Sequence, residues 1–195
     1  MAGYNFRRGR QMIVHDNRLN NPFTSPPTSL RPPAAENVWT VMGAEPAEHI
    51  LGWTAQVAKG NSGSGKLNAL HFMAHGFPGG IQLGRDNLSW SNVQLFQKLR
   101  GCISGAIVFF SCQVGAEQAN HSPSYQLTFG NAVAVNAGTT VVACQLNQWY
   151  SFGSSTIDFG DFEGVVYVYN ARGEGAQLQN YSSRSKVNLE RLVFG

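Results

Sequence analysis

Residues 106–115 read AIVFFSCQVG. The first five, Ala106–Phe110, form a continuous apolar run bounded by Gly105 and by Ser111-Cys112. A short run without polar alternation reads as a strand buried on both faces, as in a parallel sheet. Val38–Met42, Leu67–Met73 and Thr139–Cys144 are runs of the same kind, and GVVYVY (Gly164–Tyr169) reads as a late strand. Helical periodicities lie between them. Glu45–Lys59 sets Ile50, Leu51, Trp53, Val57 and Ala58 at helical spacing, with Pro46 in the first turn, where a missing N–H costs nothing. Ser91–Arg100 turns Val93, Leu95, Phe96 and Leu99 to one side, with Ser89 or Ser91 as its cap. Ser124–Asn136 carries Leu127, Phe129, Val133 and Val135. Ile81–Leu83 and Asn87–Ser89 read as a short hairpin, residues 145–163 as irregular and aromatic, and NLERLVFG (Asn188–Gly195) as a short helix. Strands alternating with helices predict an α/β fold, a mostly parallel central sheet with helices on both faces.

The chain has 195 residues, which suits one domain with an appendage. Hydrophobic residues are 43% and charged residues only 13%, so neither a coiled coil nor a disordered chain is expected. No apolar run approaches the roughly 18 residues of a membrane span. Arg7, Arg8 and Arg10 are followed by no apolar segment of signal-peptide type. Cys102, Cys112 and Cys144 are odd in number and form no CxxC pair. That argues against a disulfide framework or a zinc site and for a reducing, cytoplasmic compartment.

The net charge of +3 is concentrated at the N-terminus. Residues 1–36 hold Arg7, Arg8, Arg10, Arg18 and Arg31 against Asp16 and Glu36; the remainder is neutral. Five of the eight prolines fall in HDNRLNNPFTSPPTSLRPPAAE (His15–Glu36). Such composition favours extended, uncollapsed chain. The expectation is a flexible, basic, Pro-rich arm over 1–36 and an α/β domain over 37–195. The arm would drape over the surface, or serve as an address for delivery elsewhere, a translocation signal or a removable pro-segment. With no basic stripe interleaved with aromatics, no nucleic-acid partner is expected.

Ligands of parallel sheets bind beyond the carboxyl ends of the strands. His75-Gly76 follows the strand ending at Met73, and Ser111-Cys112 follows the strand ending at Phe110. A right-handed crossover brings such strands side by side. The two side chains would then share one cleft, a Cys–His arrangement for nucleophilic catalysis. Cys112 is the expected nucleophile and His75 the acid/base. Gly76, free of a Cβ, would let its N–H join that of Cys112 as an oxyanion hole. Cys102 and Cys144 read as structural, with Cys144 the fallback nucleophile because it too ends a core strand. His71 reads as a strand-interior residue with a polar partner. No HxxxH helix or carboxylate cluster points to a metal, and no cofactor is expected.

Two motifs are misleading. GNSGSGK (Gly60–Lys66) imitates a phosphate-binding loop, but Leu67 stands where Ser/Thr would hold magnesium, and the loop precedes its strand. HGFPGG (His75–Gly80) imitates the oxyanion segment of α/β-hydrolases. FSCQVG lacks the leading Gly of their nucleophile elbow, and no His follows His121.

LHFMAHGFPGGIQLG (Leu70–Gly84) followed by AIVFFSCQVG resembles the caspase-like, clan CD cysteine peptidases, which include caspases, metacaspases, gingipains, separases and bacterial CHAT domains. The CHAT-like modules are the nearest in feel. The resemblance covers about residues 67–145, extends loosely to residue 169 and does not reach the arm. It implies a caspase-like sandwich and a cofactor-free Cys112–His75 dyad that cuts peptide bonds through a thioester acyl-enzyme. It also implies a pocket for the residue before the cut, walled by Ser111 beside the nucleophile and by QLNQWY (Gln145–Tyr150), with Gln145, Asn147 and Trp149 as binding residues. Asp158 could line a basic-reading pocket. Phe110 stands where basic-specific members carry an acid, and Phe-Ser precedes the Cys where caspases have Gln-Ala, so neither Lys/Arg nor Asp specificity follows.

The sequence therefore points to a cysteine endopeptidase acting on protein or peptide substrates, with an activating protein partner in prospect. One alternative is a catalytically silent caspase-like module that binds a protein through the same cleft. Another is a different Cys-dependent acyl-transfer enzyme, such as a deamidase acting on glutamine.

Overall fold

Every residue of Gln11–Asp16 is buried, and this strand, β1, lies inside the central sheet. The computed structural model describes residues 4–19, 33–116, 128–148, 151–153, 156–158, 162, 164–178 and 189–195. In chain order β1 is followed by β2 (Asn37–Val41), α1 (Ala47–Lys59) and β3 (Leu67–Met73). Three two-residue strands come next, β4 (Gly76–Phe77), β5 (Gly80–Ile81) and β6 (Leu88–Ser89), then a 3-10 helix over Trp90–Leu99. β7 (Ile103–Phe110), α2 (Phe129–Ala137) and β8 (Thr140–Cys144) complete the parallel part. The hairpin strands β9 (Ser151–Gly153) and β10 (Thr156–Asp158), then β11 (Val166–Tyr169), β12 (Gly175–Leu178) and α3 (Leu189–Phe194) follow.

The sheet has seven strands in the order β12-β11-β8-β7-β3-β1-β2. β2, β1, β3, β7 and β8 are mutually parallel. β11 is antiparallel to β8, and β12 to β11. The expected α/β fold with a mostly parallel sheet is therefore present, with an antiparallel margin.

The expected arm over 1–36 needs correction. Residues 4–19 and 33–36 are part of the folded body, and the boundary at 37 falls between two paired strands. Met12 and Val14 face one core layer and Ile13 the other. Burying three such side chains is worth roughly 1.5–3 kcal/mol each, which outweighs the polar company of QMIVHD. The arginines are engaged too. Arg8 pairs with Glu190 at 2.6 Å and lies over the Phe194 ring. Arg10 donates to the carbonyls of Val57 and Ala58, at the carboxyl end of α1. Those carbonyls have no partner within the helix, so a cation is favoured there.

One core layer, under α1, the 3-10 helix and α2, is built around Phe72, Phe96, Phe109 and Phe129. The Phe72 and Phe109 rings stack at 5.3 Å. The opposite layer, with Ile13, Ala69, Met73, Val108, Phe110 and Val142, is covered by α3 and by Tyr4 and Phe6 of the N-terminal segment. Among the described residues helices thus lie on both faces.

Ser89 does begin the helix after β6: its N–H donates to Asn92 Oδ1 at 2.9 Å. That helix is 3-10 and kinks at Asn92. The helix expected from Ser124 starts at Phe129, where the Thr128 hydroxyl accepts from Asn131 N–H. Its first expected turn lies outside the described residues. Among the described residues no helix is long and apolar enough to cross a membrane.

Candidate active site

Chain order reverses direction in the sheet at β1 and β3. From β1 the chain steps outward to β2, then returns across β1 to β3 and proceeds to β7 and β8. Such a switch point leaves a crevice at the carboxyl ends of the strands, where α/β sheets take ligands. The residues after three neighbouring strands meet there: Arg18 after β1, His75 after β3 and Cys112 after β7.

Gly76 is the closest link between the two candidate groups. A Cβ on Gly76 would overlap the carbonyl oxygen of Cys112 and sit 2.6 Å from its nitrogen. Only glycine permits this approach of the His-Gly turn to the Cys backbone. The hairpin after β3 secures the turn, since Gln82 N–H donates to the His75 carbonyl at 2.7 Å. Beyond Cys112, Gln113 has φ +57°, an uncommon conformation for a residue with a Cβ. Its N–H donates to Leu146 O, and Gly115 N–H to Cys144 O. The turn carrying Cys112 is thereby tied to the segment after β8.

His75 is exposed, and its Nε2 lies 3.1 Å from the Arg18 carbonyl oxygen. A carbonyl only accepts, so Nε2 carries the proton of this bond. In the neutral ring Nδ1 is then the basic nitrogen. Cys112 is half-buried. Its sulfur accepts from Gln148 N–H at 3.3 Å and lies 3.8 Å from the Gln148 carbonyl. No hydrogen bond joins Cys112 to His75.

The other cysteines are closed off. Cys144 is fully buried, its thiol donating to Ser111 O at 2.9 Å. Burial, aided by the neighbouring Cys112, pushes its pKa up, so it holds its proton. The fallback nucleophile thus lies out of reach of solvent in this structure. Cys102 is buried in the turn just before β7. His71 is buried among Tyr4, Phe6 and Phe110, and its Nε2 donates to Gln11 Oε1 at 2.8 Å. Burial drives its pKa down to about 3, which makes it a neutral structural residue.

The expected binding residues fare unevenly. Ser111 is fully buried, and among the described residues its hydroxyl has no hydrogen-bond partner. Gln145 N–H is committed to the Val165 carbonyl. Asn147 is exposed, beside the Gln148 that reaches Cys112. Trp149 lies outside the described residues. Asp158 ends β10, which pairs with β9 and not with the central sheet. Among the described residues no group of three or more His, Cys, Asp or Glu side chains is placed to hold a metal. Among the described residues, the Arg18 carbonyl on His75 and the Gln148 N–H on Cys112 are groups at the site that the sequence does not mark. The indirect signal for the former was the apolar triplet Met12–Val14, as a strand whose end must lie beside His75.

The family model described as a domain of unknown function (DUF4347) matches residues 38–149. No curated protein and no solved structure matches the chain.

Proposed function

The chain belongs to the DUF4347 family, and we propose that its crevice is the active site of a cysteine endopeptidase of caspase-like type. The observation carrying this reading is the set of three strand ends: a Cys, a His-Gly turn packed on the Cys backbone, and a carbonyl that orients the His. The order of the motifs along the chain and the likeness of Leu70–Gly84 and Ala106–Gly115 to caspase-like peptidases support it further.

With Nε2–H on the Arg18 carbonyl, His75 Nδ1 takes the Cys112 thiol proton. The thiolate adds to the peptide carbonyl carbon, and the N–H groups of Gly76 and Cys112 receive the oxyanion. Collapse breaks the C–N bond, and the amine leaves with the proton returned by His75. Water, deprotonated by His75, then hydrolyses the thioester to a carboxylate and frees the thiol. In the resting chain the Gln148 backbone occupies the sulfur, so substrate or an activating protein displaces this segment first. The same contact favours a second reading, a silent module that binds a protein partner through the crevice. The three free cysteines suit a reducing compartment.

The test is a digest of a denatured proteome or peptide library by wild type, Cys112→Ala and His75→Ala. New N-termini made by wild type alone are expected, and they also report the pocket preference. Identical empty profiles from three folded proteins, with Cys112 no more reactive than Cys102, would favour the binding module.

A further inference from the structure

We infer that Asp16 is a positioning residue of this site, holding the Arg18 carbonyl where it selects the working tautomer of His75. The inference rests on the peptidase reading for its consequence, but its geometry stands apart from it. Asp16 is the last residue of β1, and its carboxylate is buried, 1% exposed. A buried carboxylate needs several partners. Oδ1 accepts from Arg18 N–H at 2.9 Å and from Arg18 Nε at 2.8 Å. Oδ2 accepts from Arg18 Nη2 at 2.7 Å and from Gly84 N–H at 3.0 Å. Arg18 Nη2 also donates to the Gly84 carbonyl at 2.8 Å.

These bonds fold Arg18 back over Asp16 and hold the 3-10 turn Asn17–Leu19. The main-chain N–H and the side chain of Arg18 are both tied to Asp16, and the carbonyl of the same turn lies 3.1 Å from His75 Nε2. Gly84 joins this frame to the loop that starts at Gly76. A Cβ there would overlap the Glu45 carbonyl, and Arg85 N–H donates to that same oxygen at 2.7 Å. His75 is therefore held twice, at its ring by the end of β1 and at its own carbonyl by Gln82. Orienting partners of this kind set which imidazole nitrogen is basic. Neither the Arg18 side chain nor Asp16 touches the reacting sulfur, so their effect on chemistry passes through His75.

The experiment reads the His75 tautomer directly, by two-bond 1H–15N correlation on the full chain labelled at histidine, with His75→Gln assigning the signal. The wild-type neutral ring is expected as the Nε2–H form. Asp16→Asn removes the charge and one acceptor site. It should produce a mixed tautomer population and slow alkylation of Cys112 by iodoacetamide at pH 7 about tenfold. Arg18→Lys, which keeps the charge but loses the fork, should fall between. A folded Asp16→Asn protein with wild-type tautomer and wild-type alkylation overturns the inference. If that variant does not fold, Arg18→Lys is judged by the same two readings, and failure of both to fold makes Asp16 structural only and also overturns it. The peptide digest separates the two ideas. A wild type that cuts nothing while its tautomer answers to Asp16 defeats the peptidase reading alone. A wild type that cuts, with Asp16→Asn cutting equally well, defeats the positioning role alone.

Discussion

Cys112 is the one cysteine of three that solvent can reach, and that difference is measurable without knowing a substrate. Brief treatment of the native protein with iodoacetamide should label Cys112 at least about tenfold faster than Cys102 or Cys144, read by peptide mass spectrometry, because thiolate character and access control the rate. Equal labelling of Cys144 would contradict its burial. Gly76 admits a sharper test. Gly76→Ala drives a methyl into the Cys112 backbone, and overpacking of this kind costs about 1–3 kcal/mol. A denaturation midpoint equal to that of wild type would show that the His-Gly turn does not pack on Cys112. At this scale the letters carried much of the site. His75 and Cys112 stand out because both follow apolar runs, and Gly76 because it follows His75. The Arg18 carbonyl had no such mark, since every residue owns a carbonyl and only position makes one useful.

β1 shows where reading elements from a sequence fails. QMIVHD has three apolar residues among three polar ones, next to a Pro-rich stretch, and composition assigns it to an arm. In the fold all six residues are buried, and two of the three polar ones, Gln11 and Asp16, have hydrogen-bond partners. Gln11 accepts from Tyr4 and His71, Asp16 accepts from Arg18 and Gly84, and His15 is enclosed between β2 and β3. Those partners are up to 68 residues away. A truncation beginning at Asn37 should therefore be insoluble or unfolded, since it opens the sheet between β2 and β3. Circular dichroism and gel filtration would check this, and a soluble, cooperatively melting fragment would reinstate the arm. β3, β7 and β8 were legible for the opposite reason: their apolar runs are buried on both faces, and no polar partner has to be found.

Across the whole molecule, the two buried histidines among the described residues, His15 and His71, lie in or beside the layer that the N-terminal segment and α3 cover. His71 stays neutral in the fold down to about pH 3, against an ordinary value near 6.5, and burial lowers His15 as well. The unfolded chain binds these protons first. Between pH 6.5 and 3 it therefore holds more protons than the native state, and stability falls as pH falls. His71 contributes a slope of up to about 1.4 kcal/mol per pH unit in that window. Urea melts at pH 7.5, 6.5 and 5.5 should show little change above 6.5 and a decline below it. His71→Phe, which leaves Gln11 Oε1 its Tyr4 partner, should decline less steeply; parallel declines would remove His71 from the account.

The amino-acid sequence by itself determined the alternation of strands and helices, because side-chain periodicity is a local property of the chain. It also determined that a His-Gly and a Ser-Cys would end two buried strands. Only the tertiary structure decided that β1 enters the sheet between β2 and β3, that the last two strands run antiparallel, and that a carboxylate and a carbonyl at the end of β1 frame His75. Each of those depends on pairing between groups distant in sequence. Such pairing is set by which buried polar atoms find partners once the chain has collapsed, and no single stretch of residues encodes both sides of it.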